Sequence, residues 1–129
     1  MLPDRPVVVI DDDPNHLEML VTVLERAGFV AAGFTNSRDA LYHLIDHPAA
    51  LAVVDLCMPE LDGLELVRRL QVSCPDLPVI AISGADRVNN FMRLMRESGA
   101  VRSLSKPITP AAFVAAVRDV LGATVKAAS

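Results

Sequence analysis

The chain has 129 residues, 52% of them hydrophobic, a formal net charge of −4 and two cysteines. That length supports one domain with a single core rather than two. No apolar run reaches the roughly 18 residues of a membrane span, residues Met1 to Pro6 lack the basic-then-apolar order of a secretory signal, and the scattered Lys and Arg argue against a phosphate-backbone contact surface. The expectation is a cytoplasmic domain without direct nucleic-acid or membrane contact, with Cys57 and Cys74 as free thiols and no zinc site.

In chain order, Val7 to Ile10 is a short apolar run ending at Asp11 and Asp12, and reads as a buried strand. Asp13-Pro14 then places a capping oxygen before a proline at the first helical position, and Leu17, Leu20, Val21 and Leu24 supply an apolar helix face that Gly28 ends. Val30 to Phe34 is a weaker strand. Ser37 is the expected cap of a helix carrying Ala40, Leu41, Leu44 and Ile45 on one side. Leu51 to Val54 is a strand delivering Asp55, and Leu64, Val67 and Leu70 mark the next helix, with Asp62 a turn or cap residue before Gly63.

Val79 to Ile82 is a strand delivering Ser83. A helix from Arg87 to Glu97 follows, with Val88, Phe91, Leu94 and Met95 on one side and Gly99 just past its end. Val101 to Leu104 is a second weak strand, leading to Lys106. Thr109-Pro110 opens the last helix, with Phe113, Val117, Val120 and Leu121 on its apolar side. Gly122 is its expected stop, leaving a core of about residues 6–122 in one domain and a frayed tail over 123–129. Strands alternating with helices, joined by right-handed crossovers, give an α/β, doubly wound five-stranded parallel sheet with helices on both faces.

Ligands of such a sheet collect at the carboxyl ends of the strands. That edge receives Asp11, Asp12, Asp55, Ser83 and Lys106. Clustered carboxylates repel one another and persist when a cation sits among them, and oxygen-only donors favour Mg²⁺. Lys106 and Ser83 supply a charge and a donor for a phosphoryl group. His16, His43 and His47 fall on predicted helices or their ends, away from this edge, and are read as solvated.

The blocks V-V-V-I-D-D-D-P, V-V-D-L-C-M-P-E-L-D-G-L-E-L, V-I-A-I-S-G-A and S-K-P-I, in this order and spacing, resemble the signature blocks of response-regulator receiver domains of two-component systems. The resemblance covers nearly the whole chain and implies the flavodoxin-like strand order 2-1-3-4-5. It implies that Asp55 is the phosphoacceptor, that Asp12 binds Mg²⁺ directly with Asp11 acting through water, and that the Cys57 backbone carbonyl completes the protein ligands. Ser83 resembles the switch hydroxyl, Gly84 the small residue beside the phosphoryl pocket, and Lys106 the pairing cation, with a cis bond to Pro107. A histidine kinase or phosphotransfer protein upstream and an effector domain or protein downstream are the partners implied.

Two departures stand out. Ser103 occupies the position three before the lysine where receivers commonly carry Phe or Tyr, which puts the usual aromatic read-out in doubt. Cys57 and Ala85 stand where receivers tune phosphoryl lifetime, and neither is a strong base, so slow autodephosphorylation is expected. Two rivals are weighed: a degenerate receiver acting as a constitutive interaction module, which Ser103 keeps alive but the intact acidic pair, acceptor, hydroxyl and lysine weigh against, and a dehalogenase-type phosphatase, which expects an Asp where Cys57 stands instead.

Overall fold

The computed structural model describes residues 5–56, 62–84 and 102–128. Strands β1 (Val7–Ile10), β2 (Ala31–Phe34), β3 (Leu51–Asp55), β4 (Val79–Ser83) and β5 (Arg102–Ser105) form one parallel sheet in the order β2-β1-β3-β4-β5. The helices are α1 (Pro14–Arg26), α2 (Ser37–Asp46), α3 (Asp62–Ser73) and α4 (Pro110–Ala128). The helix expected at 87–97, together with Cys57, Ala85 and Gly99, lies outside the described residues.

The central strands β1, β3 and β4 are buried along their whole length, which is why their sequences read as continuous apolar runs. Their side chains alternate between two cores. Val8, Ile10, Ala52, Val54 and Ala81 pack with Ala40 and Leu44 of α2 and Leu64, Val67 and Leu70 of α3. Val7, Val9, Leu51, Val53, Ile80 and Ile82 pack with Leu20 and Leu24 of α1 and Phe113, Ala116, Val117 and Val120 of α4.

Helix starts follow the local chemistry. The Asp13 side chain accepts from the backbone N–H groups of Asn15 and His16, with Pro14 in the first turn. Thr109 Oγ1 accepts from Ala112 N. Gly28, just past the α1 C-cap, has φ +96°, a conformation that glycine adopts without steric cost.

Three expectations are corrected. Asn36, not Ser37, caps α2: its Oδ1 accepts from Arg38 N and Asp39 N, and Ser37 is the first helical residue. Ile45 is 49% exposed, so the buried stripe of α2 is narrower than its apolar sequence suggests. Gly122 does not stop the last helix, which runs on to Ala128 through a segment containing three alanines and Lys126, all good helix formers. Residues 123–128 of the expected tail thus belong to α4.

Candidate functional site

Strand ends set the site. Asp11 N donates to Phe34 O at 3.0 Å, Leu56 N to Ile82 O at 2.7 Å and Lys106 N to Ser83 O at 2.8 Å, so the ladder extends past each strand into the residues that carry charge. The pleat then selects a side. Val7 and Val9, like Leu51 and Val53, face α1 and α4, and one further step of the alternation puts Asp11 and Asp55 on that same side.

There the carboxylates meet a lysine ammonium and an imidazole. Lys106 Nζ lies 2.7 Å from Asp55 Oδ2. His16 Nδ1 contacts Asp11 Oδ2 and stands 3.4 Å from Asp55 Oδ2. Asp11 Oδ1 accepts from Asp13 N at 2.9 Å, which holds the carboxylate's other oxygen toward the imidazole. Asp11 and Asp55 are only 1% and 2% exposed, whereas Lys106 is 32% exposed and open to an incoming group.

Burial pushes the Asp11 carboxyl above the ordinary carboxylate value, and the neighbouring charge of Asp55 pushes the same way, against the hydrogen bonds from Asp13 and His16. Two buried carboxylates held together are a cation-binding donor set. Ser83 Oγ is buried and has no hydrogen-bond partner among the described residues. An unsatisfied buried hydroxyl costs about 1–3 kcal/mol, and a phosphoryl oxygen would supply the missing acceptor.

The structure therefore joins Asp11, Asp55 and Lys106, and sets Ser83 on the adjacent strand end. Gly84 follows Ser83 and is half-buried, and the Lys106-Pro107 bond is cis. Asp12 is exposed and lines a groove of about 600 Å³ with Asn36, Arg38, Tyr42, Glu65 and Arg69, beside the buried cluster rather than within it. Cys57 lies outside the described residues.

His16 is the residue that the sequence reading misplaced: it is one-fifth exposed and stands on the acidic cluster. A signal for it exists. Only Asp11, Asp12 and Asp13 separate β1 from α1, so the first helical turn cannot leave the carboxyl edge, and α1 covers the face to which Asp11 and Asp55 project.

The response regulator receiver domain family matches residues 7–118, and the chain belongs to it. Response regulator GtcR of Aneurinibacillus migulanus is 32% identical over 114 residues, which are 88% of this chain and 46% of that protein. Response regulator receiver protein CpdR of Brucella abortus is 36% identical over 80 residues, covering 62% of this chain and 67% of that protein. A CheY-like response regulator receiver domain protein from Methanospirillum hungatei JF-1 superposes with a TM-score of 0.86 at 21% identity, over 95% of this chain and 97% of that one. At that identity the likeness bears on the fold. The chain thus spans less than half the length of GtcR. Receiver domains are signalling domains that generally bind magnesium, and no helix among the described residues is long and apolar enough to cross a membrane.

Proposed function

We propose that this chain is a phosphoacceptor switch, in which Asp55 takes a phosphoryl group from the phosphohistidine of a histidine kinase or phosphotransfer protein. The observation that carries the reading is the Lys106 ammonium 2.7 Å from the buried Asp55 carboxylate, at the strand end next to the unsatisfied hydroxyl of Ser83.

In the transfer, an Asp55 carboxylate oxygen forms the new bond to phosphorus while the P–N bond to the donor imidazole breaks and its electron pair returns to the nitrogen. Lys106 balances charge on the transferring oxygens, Ser83 donates a hydrogen bond to one of them, and Gly84 leaves room beside them. Asp11, Asp12 and Asp55, with the Cys57 carbonyl, are the residues that would hold Mg²⁺, which supplies positive charge to offset carboxylate and phosphoryl oxygens. Chemistry of this kind needs positioning more than covalent machinery, so the domain acts only on its own phosphorylation state.

Cys57 and Ala85 carry no strong base to the attacking water, which supports slow autodephosphorylation in the cytoplasm and a long-lived signal to a downstream effector domain or protein. Intact-mass spectrometry after incubation with a small phosphodonor and Mg²⁺ tests the reading. One added phosphoryl group on the native chain and none on Asp55→Asn is the expected result. Equal gains in both would overturn it, and a half-life of seconds would contradict the slow hydrolysis.

A further inference from the structure

The phosphoacceptor reading makes no use of His16, yet its imidazole faces both buried carboxylates: Nδ1 bonds Asp11 Oδ2 and lies 3.4 Å from Asp55 Oδ2. We propose that His16 is a resident competitor for the metal site, whose Nδ1–H holds Asp11 Oδ2 and must turn out before Mg²⁺ is bound. The side chain thereby raises the Mg²⁺ concentration at which Asp55 can be phosphorylated. The inference rests on the reading that Asp11 and Asp55 hold Mg²⁺, and adds a residue that sets how readily they do so.

The contact is a hydrogen bond and not shared ligation. An ionised carboxylate only accepts, so Nδ1 carries the proton and has no lone pair to offer a metal, a condition that the imidazolium and the neutral Nδ1–H tautomer both meet. Asp11 Oδ1 is engaged as well, accepting from Asp13 N at 2.9 Å, and Lys106 Nζ stands 2.7 Å from Asp55 Oδ2. Both carboxylates thus already carry donors from the chain itself. Lys106 pairs with Asp55, whereas His16 reaches across to both. One atom each of Asp11, His16 and Asp55 lies within 4.8 Å of the other two, so Nδ1–H and an ion shared by the carboxylates compete for one small volume, with positive ends toward each other.

His16 is also placed to leave. Its side chain is 21% exposed, against 1% and 2% for Asp11 and Asp55, so the ring has a path to solvent that the carboxylates lack. Asp13 caps the first turn of α1 and Pro14 opens it, which fixes the helix start. The movement then needs only the side-chain torsions of His16. Hydrogen bonds to ionised groups are stronger than those between neutral ones, and the one forfeited at Asp11 lowers the net gain from binding the ion. The alternative is a support role, in which His16 stays on Asp11 and holds it for the ion. The two arrangements predict opposite signs: removing a competitor tightens Mg²⁺ binding, and removing a support weakens it.

The test is a calorimetric Mg²⁺ titration of the full chain, as the native protein and as His16→Met, which keeps a helix-forming, unbranched side chain but removes the donor. In parallel, ¹H–¹⁵N NMR of the native chain follows solvent exchange of the His16 Nδ1 proton. His43 and His47, whose rings stack 4.5 Å apart on α2, serve as the internal reference. The expected result is Mg²⁺ binding about fivefold or more tighter in His16→Met, and a His16 Nδ1 proton that is protected without Mg²⁺ and loses its protection at saturating Mg²⁺. Affinity that is unchanged or weaker in His16→Met, or an Nδ1 proton whose protection does not change with Mg²⁺, would overturn the inference. The NMR arm needs no variant, so a poorly folded His16→Met does not shelter the idea. If Asp55 is phosphorylated with Mg²⁺ while the two affinities are equal, this inference alone falls. If neither chain binds Mg²⁺ and the native one gains no phosphoryl group, the phosphoacceptor reading falls with it.

Discussion

Asp11 illustrates how the site trades stability for charge. Its carboxyl is raised above the ordinary value of 3.8 chiefly by burial, so the folded state holds its proton more tightly than the unfolded chain. The contribution of such a group to stability is fully present below pH 3.8 and is lost as pH rises through the folded value. At neutral pH and without divalent cations, Asp11→Asn is therefore expected to unfold at higher urea, by on the order of 1 kcal/mol, with the gain vanishing toward pH 3.8. Urea curves at several pH values check this, and a neutral-pH loss would contradict it. A dication at ten times its Kd should stabilise the native chain by about 1.4 kcal/mol and Asp11→Asn by less.

The acidic residues were legible because each ends an apolar run. His16 was not, because a polar residue on the first turn of a helix looks solvated until the side of the sheet that α1 covers is known. Asp12, assigned by resemblance as the direct metal ligand, stands exposed beside the cluster. That placement came from a pattern of family members, and no local feature of D-D-D-P separates the two carboxylates.

At the scale of elements, α3 approaches the site more closely than any periodicity could reveal. A Cβ on Gly63 would lie 3.0 Å from the Asp55 carbonyl oxygen and 3.0 Å from Leu56 Cα, both backbone atoms that cannot swing aside. Gly63→Ala should cost about 1–3 kcal/mol and displace the end of β3; an unaltered urea midpoint would refute the contact. Gly122 presents the opposite case. It lies within α4 with nothing within 4 Å of its would-be Cβ, so Gly122→Ala should stabilise the fold by about 0.5–1 kcal/mol. No gain in thermal midpoint would show that the helix ends at Gly122 after all. A glycine after an apolar stripe commonly marks a C-cap, which is why the sequence suggested a stop there. The alanines beyond it were the stronger signal.

For the whole molecule, the layers and the charged edge follow from the apolar runs and the helices between them, whereas the strand order came from the family resemblance, and the sheet has that order. Interior strands were clearest because burial on both faces leaves unbroken apolar runs. The edge strands β2 and β5, with sequences AAGF and RSLS, carry weaker patterns, and their ends were placed only to within a residue. How phosphorylation leaves the site is the less legible part. Ser103 sits half-buried on β5 opposite Ala81, and a serine offers no ring at the position where the family resemblance leads one to expect it.

The central claim is that the phosphoryl group resides on Asp55. Borohydride reduction of the phosphorylated chain, followed by peptide mapping, reads the position directly. The account predicts reduction of the side chain at position 55 only in samples given phosphodonor and Mg²⁺. Reduction at Asp11 or Asp12 instead, or none at position 55 in a chain that has gained a phosphoryl group, would contradict it.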